Sequence, residues 1–483
     1  MVSNPFGLLW ADPGGGKTSV TLKSFAALIC SGQVKRLLIV APLRPAHLVW
    51  PAEQEKWADF EGLRVRVLHG PKKEAMLAEG TEICVINPEG LEWLFGVTEE
   101  RKMVKRRNPF TGELVEKVKV ILHHDMARIR SLGFDALVVD EVTMYKNSTK
   151  RRFQVLKPVL PLFKRRWGLT GTPATNGLID LFGQVYVADR GRTFGQFITG
   201  YRREYFQATG WGGYKYEPMP DAEKRILKAL KPIVFRLDAK EYADDIPKLV
   251  PHDVLVELTP KARKAYNEME KLMFTELEGK VFTAVSAGVA TGKCRQIAGG
   301  GLFLKAIDQD DDRPLKKGEW ALVHEAKTEA LEELVESLQG RPALIAYEFT
   351  HELERIKKAF GSRLEVMGKG TSMKKTKELE RAWNAGEIEL LAGHPRAIGH
   401  GLNLQESSNH VIWHTPTWDL ELYDQFIRRV LRSGNPHAKV YVHHILAIDT
   451  VDSLIMQALA LKGAQQQRLL DAFTIYKKMR RAA

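Results

Sequence analysis

Phe6-Gly7-Leu8-Leu9-Trp10 runs directly into Ala11-Asp12-Pro13-Gly14-Gly15-Gly16-Lys17-Thr18, and a helix-like stretch, Lys17 to Ser31, follows. A short apolar strand, a glycine-rich turn ending in Lys-Thr and a helix form the context that a phosphate-binding loop requires. Glycines let backbone N–H groups turn inward and cradle phosphates, Lys17 reaches the terminal oxygens, and Thr18 is suited to ligate Mg²⁺. Gly14, Gly15, Gly16, Lys17 and Thr18 are therefore the first candidate site residues. The general pattern has Gly where Ala11 stands, so this loop is a variant of it. Gly288 to Cys294 superficially echoes the loop, but it lacks a preceding strand and a Ser or Thr after Lys293.

Working outward, the apolar runs Arg36 to Ala41, Val65 to His69, Ile83 to Asn87, Ala136 to Asp140 and Trp167 to Thr170 have the length and β-branched content of buried strands. Helical patterns separate them, which predicts a parallel sheet with right-handed crossovers. A second series, Ala343 to Tyr347, Glu389 to Gly393, His410 to His414 and Lys439 to His444, predicts another α/β lobe, with a helix over His351 to Phe360. The expected organisation is a first lobe over residues 1–190, a helical insertion and linker over 191–318, and a second lobe over 319–483. The middle segment holds a Gly/aromatic loop from Tyr205 to Tyr216, helical patterns over Ala222 to Leu230, Pro260 to Leu277 and around Thr283 to Ile297, and an extended stretch from His252 to Thr259.

Composition narrows the function. The 483 residues carry 72 Lys plus Arg against 59 Asp plus Glu, a formal charge of +13, which favours a polyanionic partner. No apolar run approaches the roughly 20 residues of a spanning helix, and Met1 to Phe6 has no signal-peptide pattern, so the expectation is a cytoplasmic protein without a membrane partner. Cys30, Cys84 and Cys294 lie far apart without CxxC spacing, which excludes a zinc finger. His123-His124 and His443-His444 likewise lack metal-ligand spacing and read as structural.

Leu137-Val138-Val139-Asp140-Glu141 is a buried strand ending in adjacent carboxylates. Paired with the upstream loop, it puts Asp140 in the Mg²⁺ shell and lets Glu141 orient and deprotonate an attacking water. A basic interruption, Thr98 to Lys119, holds Arg101, Lys102, Lys105, Arg106 and Arg107 before an Asn108-Pro109-Phe110-Thr111-Gly112 turn signal. Either a solvated hairpin or a phosphate-contacting one fits it. Tyr205, Phe206, Trp211, Tyr214 and Tyr216 either pack on their own domain or stack on bases.

The loop, Asp140-Glu141, Leu169-Thr170-Gly171-Thr172-Pro173, Gly399-His400-Gly401-Leu402-Asn403-Leu404-Gln405 and Gln425 to Asn435 follow the order of motifs I, II, III, V and VI of superfamily 2 helicases. Ala41-Pro42-Leu43 matches motif Ia, and Ile86-Asn87-Pro88-Glu89 a motif Ib position. In detail the chain resembles the Swi/Snf-type double-stranded DNA translocases, most of all the short phage and bacterial members. The resemblance implies two RecA-like lobes, ATP and Mg²⁺ as nucleotide and metal, and duplex or branched DNA as a sequence-tolerant partner. It implies arginine fingers at Arg429 and Arg432, a nucleotide contact at Gln425, and coupling or DNA roles for Thr170, Thr172, Asn403 and Gln405, with Arg106 and Arg107 as further DNA candidates. Arg428 stands where the family has Gly, Asn435 where it has Gln, and His414 where it often has Asp. The family's adenine-reading Gln lies upstream of the first strand, where this sequence has only Met1 to Pro5, so adenine reading is unassigned. A strand-separating helicase and an ATP-gated DNA clamp with little turnover are the alternatives.

Overall fold

The computed structural model describes residues 1–12, 14–107, 114–175, 177–209, 215–237, 246–279, 292–304, 318–368, 370–398 and 401–464. They divide into two compact units, one within residues 1–237 and one within 246–464.

The first unit is built on strands β1 (Phe6–Ala11), β2 (Leu37–Val40), β3 (Val65–Val67), β4 (Ile83–Ile86), β5 (Thr98–Arg107), β6 (Leu114–His123), β7 (Ala136–Asp140), β8 (Arg165–Thr170), β9 (Phe206–Thr209), β10 (Lys215–Pro218) and β11 (Val234–Leu237). Seven of them form a parallel sheet in the order β11-β1-β8-β7-β2-β4-β3. Alternate residues of one strand feed two different cores: Leu8 and Trp10 join one cluster, Leu9 and Ala11 the other. Both faces of the sheet are thus covered, which is why these strands read as continuous apolar runs. Strands β5 and β6 form a separate antiparallel ribbon, and β9 and β10 a second one.

The second unit contains β12 (Lys248–Val256), β13 (Gly301–Phe303), β14 (Trp320–Leu322), β15 (Ala343–Ala346), β16 (Leu364–Met367), β17 (Leu390–Gly393), β18 (His410–Trp413) and β19 (Lys439–Ala447). Its parallel sheet has the order β12-β19-β18-β15-β17-β16. The two parallel-sheet lobes expected from the sequence are both present.

Within the 191–318 stretch, strand β11 is the outer strand of the first sheet and β12 that of the second. The helix over Ala222–Leu230 is present, and Ile226 and Leu230 sink into the first core. Pro251 sits in β12, where an edge position spares the N–H it lacks. Of the aromatic loop, Tyr205 and Phe206 are buried in the first core, with Tyr216 packed against it, while Trp211 and Tyr214 lie outside the described residues.

Candidate active site

Strands β1, β8 and β7 are neighbours, so the loops after their carboxyl ends converge where ligands sit in open α/β sheets. The first carries the glycine turn. Gly14 (φ 83) and Gly16 (φ 71) take left-handed conformations that side chains disfavour. Gly15 N–H donates to the Asp12 carbonyl at 2.9 Å, and a Cβ on Gly15 would come within 3.0 Å of that oxygen. Gly16 caps the helix Lys17–Cys30 without a side-chain bond, which leaves the first-turn N–H groups facing an anion-binding mouth. Lys17 Nζ donates to the Ala11 carbonyl at 2.8 Å and the Asp12 carbonyl at 3.4 Å, and Thr18 is half-buried beside it. Asp12 is tied by a buried ion pair, 3.1 Å, to Arg236 of β11. Pro13 lies outside the described residues.

Strand β7 delivers Asp140 and Glu141. Glu141 has φ 57, an uncommon conformation for a residue with a side chain. Its Oε1 accepts from the Thr143 hydroxyl at 2.9 Å and the Thr170 hydroxyl at 2.6 Å, and Thr170 Oγ1 in turn accepts from the Thr172 N–H at 3.1 Å. Motif II and motif III are therefore joined through one hydroxyl. Asp140 Oδ2 accepts from the Trp50 indole N–H at 3.1 Å. Burial, reinforced by the Glu141 charge and opposed by Lys17, pushes the Asp140 carboxyl up to about 6.

That shift makes a prediction with a definite sign. A carboxyl raised from 3.8 to about 6 destabilises the folded protein once it ionises, so its cost grows as pH rises from about 4 to 6 and then stays constant. In Mg²⁺-free buffer Asp140→Asn should melt with the wild type near pH 4 and above it at pH 7, by at most about 3 kcal/mol, at about 1.4 kcal/mol per pKa unit. A pH-independent difference in Tm would contradict this account.

The residues fit Mg²⁺ and a nucleotide phosphate. A glycine cradle, an N-terminal helix mouth, a lysine, the Thr18 hydroxyl and a buried carboxylate that a cation would compensate are the expected donor set. Among the described residues no three His, Cys, Asp or Glu side chains gather as a metal cluster. Mg²⁺ needs none, being held through one or two protein oxygens together with phosphates and water.

In the second unit, the helix Leu420–Ile427 carries Gln425, whose Nε2 donates to Glu421 at 3.3 Å. Arg429 is 9% exposed, and its guanidinium donates to the Gln425 carbonyl at 3.1 Å and the Leu402 carbonyl at 2.9 Å. Arg432 is half-buried, with Nη1 donating to the Asn403 side chain at 2.6 Å. Asn403 N–H donates to Glu380 at 2.6 Å, and Gln405 Oε1 is buried nearby in the same loop. Motifs V and VI are thus fastened together, with Arg429 bound inward and Arg432 nearer the surface. Gly399 and His400 lie outside the described residues.

Sequence reading missed Trp50, Arg236 and Glu380. Trp50 lies in the helix Trp50–Lys56, a few residues past the motif Ia position, but nothing local aims it at Asp140. The histidines read as structural do find partners: His124 at Val155, and His444 at Asp253 and Tyr423. Cys30, Cys84 and Cys294 are unpaired thiols, and no described helix is long and apolar enough to cross a membrane.

The SNF2-related domain family matches residues 2–312, and the helicase conserved C-terminal domain matches residues 326–434. Protein p41 of Acyrthosiphon pisum secondary endosymbiont phage 1 is 33% identical, over 96% of this chain and 94% of that protein. The RAD54-like DNA repair and recombination protein of Gallus gallus is 23% identical over 96% of this chain. The CHD3-type chromatin-remodeling factor PICKLE of Arabidopsis thaliana is 23% identical over 93% of it. The chain spans 64% of the length of the first of these two proteins and 32% of the second. A solved SWI2/SNF2 ATPase core of Sulfolobus solfataricus in complex with dsDNA is 20% identical with a TM-score of 0.39, covering 96% of this chain and 89% of that one. With one family profile spanning most of its length and a full-length relative at 33% identity, the chain belongs to the SNF2-related family of helicase-type ATPases.

Proposed function

We propose that the protein is a DNA-dependent ATPase that translocates on double-stranded DNA and so remodels DNA structures or protein–DNA complexes. What carries the reading is the convergence of the glycine turn, Asp140–Glu141 and Thr170 on three adjacent strand ends in a chain of this family. The loop N–H groups and Lys17 hold the phosphates, and Thr18 and Asp140 hold Mg²⁺. When bound, Mg²⁺ neutralises charge on the phosphate oxygens. Two hydroxyls occupy Oε1 of Glu141, so Oε2 is the oxygen that takes the proton of the attacking water. Arg429 and Arg432 act on the charge that develops in the transition state, Gln425 contacts nucleotide, and the Thr170–Thr172 link passes the state of Glu141 to the following loop. Asn403 and Gln405 serve the DNA track.

ATPase assays with duplex, single-stranded and branched DNA, run beside triplex displacement and strand separation, test this. Duplex is expected to stimulate turnover more than single strands and to give triplex displacement without a released strand. The β5–β6 ribbon favours one competing reading, a strand-separating helicase, and efficient unwinding of a forked duplex would establish it instead. Negligible ATPase that DNA does not stimulate would leave a clamp.

A further inference from the structure

The ribbon of β5 and β6 pairs Thr98 with His123 at its base and Arg107 with Leu114 at its far end. Side chains alternate across such a ladder, so its two faces can be read separately. One face carries, from the base, Glu100/Ile121, Lys102/Lys119, Val104/Lys117 and Arg106/Val115. The other carries Glu99/Leu122, Arg101/Val120, Met103/Val118, Lys105/Glu116 and Arg107/Leu114. The side chains of Arg106, Arg107, Val115 and Lys117 and residues 108–113 lie outside the described residues, and only the backbone register places the first four.

The base is fastened to the lobe. Arg151 donates to Glu99 at 2.6 Å and to Glu92 at 2.6 and 2.8 Å, and Leu122 packs on the first core. Beyond it the two faces differ in how their cations are balanced. On the second face Arg101 pairs with Glu99 at 2.8 Å and Lys105 with Glu116 at 3.9 Å. On the first, acid occurs only at the base, where Glu100 is shared between Lys102 at 3.0 Å and His123 at 2.9 Å. Lys119, exposed and directly across from Lys102, carries no ion pair among the described residues. Two like charges on directly opposed positions weaken a two-stranded ladder. An anion lying on that face removes the penalty.

We infer that the Lys102/Lys119 face of the β5–β6 ribbon is a docking surface for the phosphate backbone of duplex DNA, resting on the DNA-dependent reading above. Lys102 and Lys119 stand side by side across the ladder, so two ammonium groups offer themselves to one polyanion, in a chain whose formal charge is +13. The competing surface is the exposed apolar stripe of Met103, Leu114, Val118 and Val120 on the opposite face, which would suit a protein partner.

Fluorescence anisotropy of the full chain on a duplex of arbitrary sequence, across a salt series, tests the assignment. K102A/K119A is expected to flatten the slope of log K against log salt by about 1.8, two phosphates at about 0.9 each, and to raise the duplex concentration needed for half-maximal ATPase. K102R/K119R keeps the charges and should keep the slope, and M103S/V118S should bind as the wild type does. A wild-type slope in K102A/K119A, with ATPase still stimulated by duplex, overturns the docking surface while leaving the DNA-dependent function standing. Weakened binding confined to M103S/V118S also overturns it, in favour of the apolar face. A wild-type protein that neither binds duplex nor responds to it removes both readings together.

Discussion

Lys17→Ala and Glu141→Gln are each expected to abolish ATP turnover while leaving DNA binding largely intact, because the phosphate chemistry and the phosphate-backbone contacts use different side chains. The two should fail differently. Lys17→Ala removes the cation that reaches the terminal phosphates, so nucleotide affinity falls along with kcat. Glu141→Gln keeps the size of the side chain and an amide oxygen able to accept from Thr143 and Thr170, but it cannot take a proton. Nucleotide should therefore still bind while kcat drops by about 10²- to 10⁴-fold, the usual contribution of a positioned base. A fluorescent-nucleotide titration beside a phosphate-release assay separates the cases, and near-normal turnover in either variant would sink the site assignment.

The second large effect concerns the arginines. Arg432→Ala should lower kcat by about 10³-fold or more, in the range of arginine fingers, with little change in nucleotide affinity, because the guanidinium acts on charge that appears only in the transition state. Arg429→Ala should combine lost turnover with a lower Tm. Its guanidinium is buried against the Gln425 and Leu402 carbonyls, and deleting it strands those acceptors at about 1–3 kcal/mol each. Arg428→Ala, at the family's Gly position, should be the mildest of the three. If it proves the most damaging, the register of motif VI is wrong by one.

How far the sequence reveals such a site depends on the distance over which its parts interact. The strand-turn-helix of Phe6 to Ser31 is legible because a buried strand, a glycine turn and a helix follow one another within a few residues. Asp140–Glu141 and Thr170 are legible for the same reason, each closing its own apolar strand. Their meeting is not, since periodicity tells which face a residue occupies and not which strand lies beside it. Trp50 reaches Asp140 across 90 positions and Arg236 reaches Asp12 across 224, and neither carries a local mark. Strand β16, four residues long with Glu365 exposed, and strand β12, a mostly exposed edge, lack the continuous apolar run that betrays the central strands.

The order of strands in the first sheet has a consequence for the making of the protein. Strand β1 is made well before either of its neighbours in the sheet: β8 closes at Thr170 and β11 at Leu237. At a synthesis rate of roughly 5–20 residues per second, β1 waits on the order of ten seconds or more for its first partner. Throughout that interval Leu8, Leu9 and Trp10 form an unpaired apolar edge, and the glycine turn behind them has no sheet to hold it. The glycine turn after β1, proposed above to hold nucleotide, is therefore among the last parts of its lobe to take shape on the ribosome. Nascent chains halted before Leu237 should be sticky and unable to retain nucleotide.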